Sequence, residues 1–446
     1  MLVGGLLVLS CANNAYQNAV PKDCVALASV EMETFSSQGG GGNAELVDFL
    51  HVDEVGKCGL DFSAPLFLFE SRDGDLGLCA KVGDAETVKN WVENAMTKDG
   101  RGKVRESRNG LGFAEWNESW LMGYSDDAFL MMGPVLPAAM ATLQQRMVKY
   151  LTQDEEKGLM GSRLHEVMDS MSAPVKMVAR LSALPPALTM PFDFGVPKSA
   201  GEKDAYLSAE MTLKDKMLVI HGSTFSFKEK VNEEIRSAQR QLKAVEGRFF
   251  SSVLDSTACY LVANVEGDSF LDLIHSNKGL QALLTGANMA VDMDNVIRSM
   301  QGDVVMAYWA SFRDDKSFAM AAQLKDDRFL GDVGYWKQSC PKGTRIVDLG
   351  PKDFQLTGGD ADLFFGVTDD KMFYAGSSEY LAKALLPNPS SPLKKMVAEE
   401  MKGQPLAMCL NVNNLAFDEM VELKTLATAI KAVFGDVTHV VYHLNR

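Results

Sequence analysis

Apolar positions along this chain come in short alternating runs closed by polar turns, and one such unit occurs twice. Phe113-Ala114-Glu115-Trp116 leads into Leu121-Met122-Gly123-Tyr124, a Ser125-Asp126-Asp127 turn, and Phe129-Leu130-Met131-Met132-Gly133. Leu363-Phe364-Phe365-Gly366-Val367, Thr368-Asp369-Asp370 and Met372-Phe373-Tyr374-Ala375-Gly376 repeat the pattern. Gly123 and Gly366, the two Asp pairs, and Gly133 and Gly376 each stand 243 residues apart. Two apolar runs around a Ser/Thr-Asp-Asp turn predict a β-hairpin. Its recurrence at about half the chain length predicts a duplicated domain.

The remaining periodicities fill in both copies. Pro65–Phe69 and Leu76–Val82 flank Arg72-Asp73-Gly74-Asp75, a second hairpin turn. Asp84 is placed to cap a helix carrying Val88, Trp91, Val92 and Ala95-Met96. Amphipathic helices follow at about 137–151 and 162–172, the latter with Ser162 as N-cap, then a strand at 175–181 and a hairpin at 205–225 turning at Lys214-Asp215-Lys216. A stripe of Val231, Ile235, Ala238, Leu242 and Val245 predicts a bridging helix ending at Gly247.

The second copy retraces these elements. Ala258–Val265 matches Cys24–Val30, with Cys259 on Cys24; Arg313-Asp314-Asp315 matches the turn at Arg72; Trp336 falls near the place of Trp91; Pro405–Met408 matches Pro174–Met177. Ser391-Pro392 before Leu393, Met396, Val397 and Met401, with Gly403 behind, predicts a helix with both ends signalled. Thr438–Leu444 matches the strand at 206–212, but no partner strand follows it. That edge is left open, is covered by another segment, or marks a truncated sequence, and truncation is the preferred reading. The expected class is α+β: two tandem repeats, each a mostly antiparallel, hairpin-rich sheet packed with helices. Repeat 1 spans 20–227, the bridging helix 228–247 and repeat 2 248–446.

Composition narrows the functional classes. With 46% hydrophobic and 23% charged residues in 446, the chain is globular and long enough for two cores. A formal charge of −15 argues against nucleic acid or an anionic membrane surface as partner. The N-terminus changes the picture more. Met1–Ser10 is an apolar run ending in Val8-Leu9-Ser10-Cys11, the grammar of a signal peptide followed by a lipid-bearing Cys. Acyl chains on Cys11 anchor a protein through roughly 0.8 kcal/mol per buried CH₂, and residues 11–19 read as lipidated Cys and polar tether. The run is too short to span a bilayer, which takes about 20 residues. No Lys or Arg precedes it, which places the true start upstream.

No local motif names a reaction. The four glycines Gly39–Gly42 lack the strand before and the Lys-Ser/Thr after that a phosphate cradle needs. Of seven cysteines, Cys24, Cys79, Cys259 and Cys409 lie in apolar strand patterns and read as buried free thiols; Cys58 and Cys340 complete the set, with disulfides open in an oxidising compartment. His439 and His443 lie four apart in a β pattern, about 13 Å at 3.3 Å per residue, too far for one ion. Asp126-Asp127, Asp314-Asp315 and Asp369-Asp370 read as turn residues rather than paired catalytic carboxylates, as against Asp326-Asp327 outside a turn. Asp292-Met293-Asp294-Asn295 lacks the Gly and Glu of a calcium loop. No catalytic, cofactor-binding or metal residue is assigned.

Val20-Pro21-Lys22-Asp23-Cys24-Val25-Ala26-Leu27-Ala28-Ser29-Val30 behind the lipid-bearing Cys resembles the start of a family of uncharacterised Bacteroidetes lipoproteins. Its members read Ile/Val-Pro-x-Asp soon after that Cys and continue as a duplicated α+β domain of unknown function. The resemblance covers 20–446 and implies no catalytic residues. The expectation is a lipid-anchored cell-envelope protein, facing the periplasm, that binds or scaffolds without catalysis. Its partners are the membrane through the anchor and an envelope protein or glycan. The alternative is an envelope hydrolase acting on glycan or peptide.

Overall fold

The computed structural model describes residues 12–33, 55–95, 102–184, 192–252, 256–277, 291–309, 317–359, 362–388, 393–415 and 434–445. It is a mixed α+β protein whose strands pair mostly antiparallel, and it divides into two compact units. The first comprises residues up to 183 with 207–214 and 431–436. The second comprises 184–206, 215–430 and 437–446.

In the first unit, alternation of apolar residues produces β1 (Ala26–Val30), β2 (Leu66–Glu70), β3 (Leu76–Lys81), β4 (Gly102–Arg108), β5 (Leu111–Trp116), β6 (Trp120–Tyr124), β7 (Ala128–Gly133) and β8 (Val175–Arg180). They lie in the order β8-β1-β2-β3-β7-β6-β5-β4, every pair antiparallel. The expected Asp-Gly turn joins β2 to β3, with the Ser71 N–H donating to the Asp75 carbonyl at 2.8 Å and Gly74 at φ +87°. Ser125-Asp126-Asp127 joins β6 to β7.

Helices pack on both faces of this sheet. Asp84 caps α1 (Ala85–Asn90), its Oδ1 accepting from the Thr87 N–H at 2.6 Å. One wider turn, Trp91–Ala95, continues it and buries Trp91 and Val92 against Ala114, Met122 and Phe129. Met96 lies outside the described residues. On the opposite face lie α2 (Met140–Leu151), burying Met140, Leu143 and Met147, and α3 (Arg163–Met168), capped by Ser162 as expected. Arg146 of α2 ties down the β2–β3 turn through Asp75 at 2.5 Å and Asp73 at 3.6 Å.

The second unit repeats the pairing order. After β9 (Tyr206–Lys214), its strands are β10 (Met217–Phe225), β11 (Cys259–Glu266), β12 (Met300–Trp309), β13 (Ser317–Leu324), β14 (Arg345–Asp348), β15 (Asp353–Thr357), β16 (Leu363–Val367), β17 (Met372–Gly376), β18 (Leu406–Asn411) and β19 (His439–Leu444). They run β18-β11-β12-β13-β17-β16-β15-β14, the same order as β8-β1-β2-β3-β7-β6-β5-β4. One face carries α5 (Gly267–Ser276), α6 (Met293–Arg298) and α7 (Val333–Ser339), with Trp336 buried as Trp91 is. The other carries α8 (Glu379–Ala384) and α9 (Lys395–Met401). The Arg313-Asp314-Asp315 turn and the Ser391-Pro392 helix start lie outside the described residues. The helix signalled there is present from Lys395.

Four expectations are corrected. First, Ala12–Ala19 is not a polar tether but a 3-10 helix, because Tyr16 and Ala19 face the core and the Tyr16 hydroxyl donates to the Pro65 carbonyl at 2.9 Å. Second, the bridging helix α4 (Glu229–Arg240) stops seven residues before Gly247. Its last apolar residues instead extend along the sheet, the Val245 N–H donating to the Gln404 carbonyl and the Gly403 N–H to that of Val245, both at 2.9 Å. Third, Met408 faces Leu261 as Met177 faces Ala28, so Cys259 stands at the place of Ala26, not of Cys24. Fourth, the far edge of β19 is covered: β10 pairs with it in parallel from Met217↔His439 to Gly222↔Leu444, while β18 pairs antiparallel on its other side. By contacts, 184–206 and 215–227 accordingly group with the second unit rather than with repeat 1.

Candidate functional site

Strand parity puts one apolar row at the same register position in each unit. In the first it runs Met177–Ala28–Leu68–Leu78 across β8, β1, β2 and β3. In the second it runs Met408–Leu261–Met306–Met320 across β18, β11, β12 and β13. Four strands about 4.8 Å apart make each row roughly 14 Å wide. Two residues further along β2 and β12, on the same face, Leu66 and Val304 are buried in cores built with helices. The cover ends there. Leu68 and Met306 are each 39% exposed, and Leu76 beyond Leu78 is 48% exposed. Each row thus presents an exposed apolar side chain, flanked by half-buried thioethers at Met177, Met320 and Met408. Exposed apolar side chains at matched positions of two sheets are candidate contact points for a partner.

The polar groups nearby act differently. Asp303 is fully buried in the second unit and accepts the N–H groups of Glu246 (3.0 Å), Gly247 (2.7 Å) and Arg248 (2.8 Å) and the Asn264 amide (3.0 Å). A carboxylate so occupied organises backbone and has no lone pair to spare for chemistry. Asp353 receives the Tyr374 hydroxyl and lies 3.7 Å from Lys383 Nζ. Burial, then this carboxylate, hold the Tyr374 phenol well above its ordinary range, which keeps it protonated near neutral pH. Burial pushes the Cys24, Cys259 and Cys409 thiols up to about 12, so none is a nucleophile near neutral pH.

Comparison with curated proteins gives no match. The profile of a family described as a domain of unknown function, DUF4836, matches residues 41–437. The chain belongs to that family. Among solved structures, crystal form III of a protein titled TP0453 is similar at 11% identity and a TM-score of 0.26, covering 39% of this chain and 68% of that one. So distant a likeness bears on neither fold nor role.

In this DUF4836 chain the residues singled out by sequence take structural places. Cys11, the lipidation candidate, and Gly39–Gly42 lie outside the described residues. Cys58 is buried, and Cys24, Cys79, Cys259, Cys340 and Cys409 are free thiols. Asp369-Asp370 sits in the β16–β17 turn, where Thr368 Oγ1 donates to Asp370 Oδ1 at 2.5 Å. Asp326 binds Arg328, and Asp327 binds Lys352 at 3.1 Å. Asp292 is the N-cap of α6, accepting from the Asn295 N–H at 3.2 Å. His439 and His443 point to one face of β19, and the described residues contain no group of three or more His, Cys, Asp or Glu arranged to hold a metal ion. No described helix is long and apolar enough to cross a membrane. Two features escaped sequence reasoning in this DUF4836 chain. The signal for Asp303 was a carboxylate in register with Val305 and Ala307 on a strand. That for the open rows was Met recurring at matched strand positions, visible only once pairing is known.

Proposed function

We propose that this DUF4836 protein is a lipid-anchored cell-envelope protein that binds or scaffolds without catalysis. In this reading it comes from the Bacteroidetes lipoproteins it resembles and is built from two copies of one α+β unit. The duplication draws support from the shared strand order and from the repeated hairpin. The anchor draws support from the Val8-Leu9-Ser10-Cys11 sequence. The observation that carries the binding role is the half-exposed apolar row, centred on Leu68 in one unit and Met306 in the other. Duplicated modules that keep the same surface accessible are suited to a partner that engages both.

The test is site-specific photocross-linking in the envelope of a native-like host. A benzophenone amino acid replaces Leu68 or Met306, with exposed Lys149 and Lys230 as control positions. Adducts at both rows, absent at the controls, are expected, together with palmitate labelling of the wild type and none of Cys11→Ala. No adduct above control overturns the binding role. An unlabelled, soluble wild type overturns the anchor.

A further inference from the structure

We propose that α9 is held on the sheet of the second unit by an acid-sensitive contact: His221, His439 and His443 lie beneath this one helix, between Lys394 and Glu400, and their protonation loosens it. Three of the chain's six histidines are gathered there. α9 packs Val397 and Met401 onto Met217 and Val219 of β10, Val441 of β19, and Ala407 and Cys409 of β18. Register puts the three imidazoles on that same face, since Met217 pairs with His439, Val219 with Val441 and His221 with His443. His443 is 1% exposed, and its Nε2 lies 3.7 Å from Glu400 Oε2. The His221 ring meets it edge-on, with centroids 4.5 Å apart. His439 Nδ1 lies 2.9 Å from Thr438 Oγ1.

Among the described residues, charged and titratable groups face these rings from several elements. From α9 they are Lys394 and Glu400, from β10 His221, and from β18 the Cys409 thiol, which burial keeps neutral. Burial and the Lys394 charge oppose a proton on His439. Glu400 offsets one proton on the His221–His443 pair. A second, one ring away, meets a like charge. With α9 lifted, the His439 ring is hydrated and regains its ordinary value near 6.5. The seated state therefore binds fewer protons than the lifted state below about pH 6.5, and acid shifts the balance toward lifting.

Hydrogen exchange of the full chain, read by mass spectrometry at several pH values between 7.5 and 5.2 and corrected for intrinsic rates, tests this. Protection of amides 397–401 is expected to fall about tenfold or more across that range relative to amides 231–240 of α4. Lys394 is exposed and Glu400 half-buried, so substitutions at both leave the core intact. Lys394→Gln should move the midpoint to lower pH and Glu400→Gln to higher pH. Unchanged relative protection of α9, or midpoints that do not move in opposite directions, overturns the proposal.

Discussion

At the residue scale, the glycines at matched hairpin positions serve different contacts. A Cβ at Gly123 would lie 2.7 Å from the Phe113 ring and 3.1 Å from Leu151 and Met147, so this glycine lets α2 approach the sheet. A Cβ at Gly366 would collide with the Tyr374 hydroxyl and the Lys352 carbonyl, so here the missing side chain makes room for the phenol on Asp353. Gly366→Ala is expected to destabilise by about 1–3 kcal/mol in urea unfolding, the usual range for overpacking. Asp303→Asn turns an acceptor of four hydrogen bonds into a group that must present an amide N–H to other N–H donors. A loss of roughly 2–4 kcal/mol is expected by the same measurement, and a change under 1 kcal/mol would refute its organising role. His439 supplies a pH dependence. Its folded form resists protonation down to about 4, while the unfolded form takes up a proton near 6.5. The unfolded state then binds more protons in that window, so stability falls as pH drops from 6.5 toward 4. His439→Gln should remove about 1–2 kcal/mol of the difference in unfolding free energy between pH 7.5 and 5.

At the element scale, what could be read in advance follows from how local the cause is. The hairpins at Ser125–Asp127 and Thr368–Asp370, the Asp84 and Ser162 caps, and the buried Trp91 and Trp336 all follow from signals within a few residues, which a single sequence carries. The parallel pairing of β10 with β19 joins segments more than 200 residues apart and leaves no local trace. Val245 kept a helical period with Val231 and Ile235, yet sheet hydrogen bonds to Gln404 and Gly403 outweighed propensity. The polar letters of Asn13-Asn14-Ala15-Tyr16-Gln17-Asn18 hid one fully buried ring. The open rows were illegible for a related reason, since exposure depends on where helical cover stops. β2 makes that boundary measurable. Phe67, on its covered face, should cost about 3–5 kcal/mol on truncation to alanine. Leu68→Gln, one residue away, should change thermal stability little, within roughly 0.5 kcal/mol, while abolishing partner cross-linking from a benzophenone placed at exposed Leu76 beside it.

At the scale of the whole molecule, each unit carries a sheet with helices on both faces, the same strand order, and an exposed apolar side chain at the matched row. Their polar constellations differ: the first unit has Arg146 on Asp73 and Asp75, the second Asp303 with its four donors, Tyr374 on Asp353, and the histidines under α9. The two units thus share a scaffold and differ in what is built into it. The seat of β19 between β18 and β10 also sets a schedule for biosynthesis. Thr438 bonds to Lys216, 222 residues earlier, through both its N–H and its hydroxyl. At roughly 5–20 residues per second on the ribosome, β10 waits on the order of 10–45 s for its neighbour to be made. During that wait an apolar strand edge, Met217 to Gly222, is open to pairing with another nascent chain. A chain ended before Val437 keeps that edge permanently and should be recovered as aggregate, whereas one ended after Leu444 should fold. A strand made more than 200 residues after its neighbour is therefore the one that protects the second unit from other chains on the polysome.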